Sequence, residues 1–370
     1  MFVDLTEEQR ALRQQLREYF TGLISPAEQE AMMTDRHGTV FKDLMRRIGS
    51  DGWFQDTGDV ERQILINEAA RADVPLPYVT LQTVGPTLRQ FGTQAQKDFF
   101  LPKIRAGEIH FAIGYTEPES GTDLASLRTT AVRDGESYVV NGQKIFTTGA
   151  HEADYIWLAC RTNPEAPRHK GISILIMDTK LPGYSWTPII TCDGAHHVNA
   201  TYYEDVRVPA DMLVGQEHGG WRLITTQLNH ERVMLGPAGR IAGQYERVRS
   251  WAKERGLLNH WDVRRALAEV YACMEVNELL NGQVASAPLD VADASVTKIF
   301  ASDRMQRVGR LLEEVVGKHG DPADPETGAL QRWLDAQAKR NLVLTFGGGV
   351  NEIQRELIAT AGLKLPRVPR

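Results

Sequence analysis

Cysteine is scarce in this 370-residue chain: Cys160, Cys192 and Cys273 are odd in number and far apart. Such a set excludes a disulfide framework and a CxxC metal site, and it fits a reducing compartment. Basic excess is also missing. The 42 Lys and Arg stand against 48 Asp and Glu, and the net charge of −6 argues against nucleic acid as the main partner. No apolar run approaches the ~20 residues that cross a bilayer. The opening MFVDLTEEQR lacks the basic-then-apolar order of a secretory signal. A cytoplasmic protein without membrane contact is therefore expected. No histidine falls into HExxH or related spacing, and the adjacent His196 and His197 are poorly placed to chelate one ion, so no metal is expected.

What is present divides the chain by the period of its apolar residues. Residues 1–109 read as helices. Thr6 with Gln9 suits a capping box before Leu12, Leu16, Tyr19 and Phe20, and further helical runs cover 60–72, 80–91 and 95–104. Residues 110–217 change to β-branched and aromatic runs at 128–132, 138–140, 144–148, 154–161, 171–177, 185–190 and 200–208. Their spacing predicts a compact antiparallel β-barrel or sandwich. Asn141-Gly142, between two of these runs, suits a type I′ hairpin turn. From 218 to 370 the helical period returns, with segments at 221–251, 263–281, 292–317 and 330–344. A last helix at 353–361 follows Asn351 and Gln354 as its cap. The expected fold is α+β and multidomain: an N-terminal helical domain, a middle β-domain and a C-terminal helical bundle.

Two loops stand out chemically. One holds Thr116-Glu117-Pro118-Glu119-Ser120-Gly121-Thr122-Asp123, and the other holds Thr147-Thr148 after Phe146. Their hydroxyls and backbone N–H groups suit the polar edge of a flat heterocycle and a pyrophosphate. Either loop alone reads equally well as an ordinary strand-end turn, and Phe146 alone as a core aromatic.

Taken together, T-E-P-x-x-G-[ST]-D followed by N-G-x-K-x-[FW]-x-T resembles the acyl-CoA dehydrogenase family of flavoproteins. Upstream, Gly92-Thr93 with Gln96-Lys97 and Leu101-Pro102 is similar to that family's G-[ST]-x-x-Q-K…L-P segment; downstream, Tyr203 to Pro209 is similar to its F-[ED]-D-V-x-V-P strand. The resemblance implies FAD as cofactor and α,β-dehydrogenation of an acyl-CoA thioester, an oxidation that belongs to β-oxidation and lipid metabolism. It implies that Thr116 and Thr148 bind the flavin ring, with Thr147 beside them. Phe146 would pack on one ring face, and Gly121 and Thr122 would lie near the phosphates.

The reaction needs a carboxylate in a water-poor pocket, where desolvation makes it a competent base. Many family members carry that glutamate just before a G-T-x-x-[IQ]-x-R helix start. Aligning Ile353-Gln354-Arg355 puts Gly348 there instead. Isovaleryl-type members place the base in an E-R pair on the helix that opens the C-terminal domain, and here that position reads Glu231-Arg232. The resemblance thus implies Glu231 as base, with the Gly348 N–H left to polarise the thioester carbonyl. Without the resemblance Glu231 reads as a surface helix acid. Arg232 is expected to stabilise the base or contact CoA, or else to form a structural salt bridge. Gly347 and its glycine neighbours imply a roomy substrate pocket for a branched or polycyclic acyl group.

The chain also departs from homotetrameric members. Their R-x-[TS]-F-G motif is replaced at 251–258 by WAKERGLL, and their Q-x-x-G-G-x-G-[YF] motif at 310–320 by RLLEEVVGKHG. Both motifs hold the neighbouring subunit's FAD. Their loss implies a same-family paralogue in an α2β2 heterotetramer, as in actinobacterial enzymes of steroid side-chain metabolism, with a homotetramer as alternative. An electron-transfer flavoprotein is the expected acceptor. Two other readings remain at this stage: a non-catalytic partner subunit, and an oxidase that passes electrons to oxygen.

Overall fold

A computed structural model describes residues 4–367 apart from 235 and 288–289, and for 228–234 it describes the backbone alone. Six helices come first: α1 (Glu7–Phe20), α2 (Pro26–Thr34), α3 (Thr39–Ser50), α4 (Asp59–Arg71), α5 (Gly85–Phe91) and α6 (Gln94–Arg105). Eight strands follow: β1 (Phe111–Gly114), β2 (Thr130–Asp134), β3 (Ser137–Thr148), β4 (Tyr155–Arg161), β5 (Ile172–Asp178), β6 (Tyr184–Ile190), β7 (His196–Pro209) and β8 (Leu213–Val214). The chain then returns to helices α7 (Gly220–Met234), α8 (Ala238–Glu254), α9 (Trp261–Ala285), α10 (Val291–His319), α11 (Pro325–Asn341) and α12 (Asn351–Leu357). Helix, strand and helix succeed one another as the apolar periods predict. The described residues form two compact units, both discontinuous in sequence: 1–26, 57–76 and 229–370 make one, and 27–56 and 77–228 the other.

The second unit is built on one eight-stranded sheet in the order β6-β7-β3-β2-β4-β5-β8, with β1 also on β4. The sheet is mixed, not antiparallel throughout, because β4 runs parallel to both β1 and β2. Apolar alternation reports which face a side chain takes, not the direction of the neighbouring strand, so the parallel pairings were not readable from it. Strands β4 and β5 are buried on both faces. Trp157, Ala159, Ile172, Ile174 and Ile176 pack with the helical residues Leu88, Phe100 and Ile104. Ile156, Leu158, Cys160, Leu175 and Met177 pack on the opposite side with Tyr138, Val140 and Tyr203. Double-sided burial explains why these two strands read as continuous apolar runs.

The expected turn at Asn141-Gly142 is not there. The chain reverses at Gly135-Glu136, between Asp134 and its partner Ser137, with Gly135 at φ 59°. Asn141 and Gly142 lie inside β3, at a bulge where Asn141 faces two residues of β7, Glu204 and Asp205. Asp205 takes the left-handed conformation (φ 51°), and Asn141 bonds both its carboxylate and its N–H at 2.9 Å. Glycine is required at 142 because a Cβ would come within 2.7 Å of the Thr129 backbone. The Asp-Gly pair just upstream carried an equally good turn signal.

The first unit contains the helical core, in which Ile241, Val248, Trp251, Val263, Val270, Met305, Val308, Leu312 and Leu334 interlock. The single helix expected over 221–251 is divided into α7 and α8 by Gly236-Pro237. Proline supplies no N–H and disrupts the preceding turn. Two fully buried asparagines on α9 complete the broken ladder. Asn277 Nδ2 donates to the Gly236 carbonyl at 2.9 Å, and Asn281 Oδ1 accepts from Ala238 N at 3.1 Å. A Cβ at Gly236 would lie 2.2 Å from the Ala301 Cβ. Substituting Asn281 by leucine leaves the Ala238 N–H buried without a partner, and should cost about 1–3 kcal/mol in a urea unfolding titration.

Candidate functional site

The best-defined polar feature of the second unit is a buried ion pair. Lys144 Nζ donates to Glu117 Oε1 at 2.8 Å and to the Tyr115 carbonyl at 3.0 Å, and both side chains are almost wholly buried. The Glu117 carboxylate also accepts from the backbone N–H groups of Arg128 (2.6 Å) and Thr129 (2.8 Å). Burial works to raise the Glu117 pKa, but the Lys144 ammonium and these hydrogen bonds outweigh it and hold the carboxyl below its usual range. The Ile145 N–H donates to the Thr116 carbonyl at 2.9 Å. Thr116 is therefore clamped on both sides, and the loop after β1 is fastened to the far half of β3.

Directly beyond the clamp, β3 bulges. Ile145 and Phe146 together face Ala200 of β7, and Phe146 takes φ 58° while 59% exposed. A bulky residue with positive φ costs roughly 1–2 kcal/mol, so an exposed phenylalanine held this way points to use rather than packing. It is not a core aromatic. The bulge turns Thr147 inward, where its Oγ1 lies 3.4 Å from Thr201 Oγ1, and leaves Thr148 exposed. Thr147 consequently offers an outside ligand its backbone rather than its hydroxyl. Gly121 sits beside Thr116, since a Cβ there would lie 3.8 Å from Thr116 Cγ2, and Thr122 is exposed. The fold thus draws Thr116, Gly121 and the 146–148 segment together from loops that are separate in sequence. An open aromatic face flanked by threonine groups fits the flat, polar-edged ring of FAD.

The first unit places the glycine loop with equal care. Gly348 and Gly349 have φ 65° and 96°, and the Gly347 N–H donates to the Val343 carbonyl at 2.7 Å. In this conformation position 348 favours glycine over any residue with a Cβ. Asn351 is not the helix cap expected from the sequence; Val350 occupies that position. Instead Asn351 is buried, accepts from Lys298 Nζ at 2.7 Å, and donates to Ser302 and Asp303. The same Lys298 ammonium, 1% exposed, donates to the Gly349 carbonyl at 2.7 Å. Sequence reasoning missed Lys298, whose only signal was a lysine amid the small and apolar residues of α10. Glu231 and Arg232 fall on α7, but their side chains lie outside the described residues.

The two replaced motifs are also accounted for locally. Arg255 pairs with Asp324 at 2.5 Å and Glu326 at 3.0 Å and lies over the Trp251 ring. Helix α10 continues unbroken through 310–319 and ends with Lys318 and His319 on Asp262, so no glycine loop forms there.

Replacing Lys144 by methionine strands a buried carboxylate, and a loss of about 3–5 kcal/mol is expected in denaturant unfolding. The pH dependence has a definite sign. With a folded pKa below the unfolded one, Glu117 contributes stability that is complete above about pH 4.3 and is lost as pH falls through the lower folded value. Melting temperatures of wild type and Glu117→Gln should accordingly converge in acid.

Comparison with known proteins bears on all three segments. Residues 6–108, 112–206 and 218–363 match the N-terminal, middle and C-terminal domains of acyl-CoA dehydrogenase. The chain is 65% identical to acyl-CoA dehydrogenase FadE29 of Mycobacterium tuberculosis, covering 100% of both sequences. Among solved structures it is similar to the Tcur3481-Tcur3483 steroid ACAD, with TM-score 0.92, 45% identity and 100% coverage of both chains. It is likewise similar to the ChsE4-ChsE5 complex from M. tuberculosis, with TM-score 0.90, 43% identity and 100% coverage of both. Among the described residues, no helix is long and apolar enough to cross a membrane. With three matched domains in order and full-length likeness to a named enzyme, the chain belongs to the acyl-CoA dehydrogenase family.

Proposed function

We propose that the protein is an FAD-dependent subunit of a heteromeric acyl-CoA dehydrogenase that introduces an α,β double bond into a bulky acyl-CoA thioester. The observation that carries the cofactor reading is the clamped Thr116 loop beside the bulge that exposes Phe146. FAD, when bound, supplies the acceptor for the β-hydride. Phe146 packs on the ring, Thr116 and Thr148 meet its polar edge, and Gly121 and Thr122 leave room for the phosphates. Glu231 removes the α-proton from the thioester, and the Gly348 N–H stabilises the negative charge that develops on the carbonyl oxygen. Arg232 holds Glu231 ionised or meets CoA, and Gly347 keeps the pocket wide.

Likeness to a steroid ACAD and to the ChsE4-ChsE5 complex supports a large polycyclic acyl group and a paralogous partner chain. The engagement of Arg255 within its own chain, and the uninterrupted α10 in place of a glycine loop, support the partner chain alone. Electrons leave through an electron-transfer flavoprotein, in the cytoplasm.

Glu231→Gln in the complex with the paralogue should retain FAD and slow flavin reduction by substrate about 10²–10⁴-fold in stopped-flow absorbance. Unchanged reduction would assign the chemistry to the partner chain. Native mass spectrometry should give two copies of each chain with fewer flavins than chains. A fully flavinated, active assembly of this chain alone would contradict the heteromer.

A further inference from the structure

Behind the exposed Thr148, on the buried side of β3, lies a polar cluster that the proposed chemistry does not use. Asn199 of β7 is fully buried opposite Thr147. Its Nδ2 donates to the Thr147 carbonyl at 3.2 Å and to His151 Nδ1 at 3.0 Å, and its Oδ1 accepts from His196 Nε2 at 2.7 Å. The pattern sets both tautomers. His151 accepts at Nδ1 and so carries its hydrogen on Nε2, which faces Asp35 Oδ1 at 3.3 Å, while His196 carries its hydrogen on Nε2. The two imidazoles stack with centroids 4.0 Å apart, and Trp186 lies 5.8 Å from each. A third ring, His37, lies against Gly149, where a Cβ would come 3.2 Å from its Cγ.

A leucine would fill the space of Asn199. It would satisfy none of these three partners, so the carboxamide is there for its hydrogen bonds. One of them ends on a peptide of direct interest, because the Thr147 carbonyl and the Thr148 N–H belong to the same amide. A hydrogen bond accepted by that carbonyl polarises the amide and offsets the negative end of its dipole. Burial, and then the adjacent His196, keep His151 below the usual histidine pKa. His37, opposed by burial and then by His197, His151 and Arg36, is pushed down to about 3. His151 and His37 are therefore neutral near pH 7.

We propose that Asn199 is a positioning residue of the flavin site: by fixing the Thr147 carbonyl and holding His151 and His196 in single tautomers, it sets the reduction potential of FAD bound against Thr148. The proposal rests on the flavin reading given above and adds a determinant that lies outside the family's sequence motifs.

The test uses the complex of this chain with its paralogue, loaded with FAD, and reads the midpoint potential and the FAD dissociation constant. Asn199→Asp keeps the shape but replaces two donors by a carboxylate facing a carbonyl. It should lower the potential by about 30 mV or more, equal to a tenfold shift in preference towards the oxidised flavin. His196→Leu, which removes the donor to Oδ1 together with the ring stacked on His151, should shift it the same way by less, and carries the test if the aspartate variant fails to fold. Folded, FAD-loaded variants with the wild-type potential would overturn the role of Asn199 while leaving the flavin site intact. A wild-type complex that binds no FAD would overturn the flavin reading, and this inference with it.

Discussion

A buried lysine on a buried glutamate fixes the geometry of everything around the proposed cofactor site. Lys144 and Glu117 are 27 residues apart in sequence, and their contact fastens the loop after β1 to the second half of β3. An apolar pair of equal volume would fill the same space, and buried ion pairs are often no more stable than such replacements. It would not satisfy the Arg128 and Thr129 N–H groups or the Tyr115 carbonyl, all of which end on these two side chains. The pair therefore acts as a joint, in which the carboxylate collects three donors and the ammonium spans two strands' ends. Thr116, Gly121 and Phe146 take their places from it.

Much of this was legible in the sequence, for identifiable reasons. Helices and strands follow from apolar period, and the Thr6–Gln9 capping box forms as its spacing indicates. Gln96, singled out only as part of a motif, completes a second such box with Thr93 and also reaches the carbonyls of Asp211 and Leu213, tying α6 to the end of the sheet. What could not be read were features decided across space. The bulge at Asn141 depends on Asp205 of the facing strand, and the α7–α8 break depends on asparagines of α9. Lys298 acquires its role only because the glycine loop folds back onto α10.

The site residues divide along the same line. The threonines and Phe146 could be picked from local pattern, yet their different orientations could not. Thr147 faces inward and Thr148 outward because one extra residue enters β3 between Lys144 and Thr147. The layer behind them could not be read, since Asn199 and His196 on β7 look like a solvent face, and His151 like a loop residue, until their partner side chains are placed.

The two bulges on the β3–β7 ladder are of opposite sense. Near Asn141 the surplus residue belongs to β7, and near Phe146 it belongs to β3, so the pairing slips by one and then slips back. Between them runs a short cassette in which Lys144 points into the interior. Removing the surplus residue of β7 would put Val206 and Val208 out of phase with Tyr203, and removing that of β3 would send Thr147 to the wrong face. Insertions and deletions in this stretch are therefore tolerable only as compensating pairs, and length variation among relatives should be excluded from it even where identities drift.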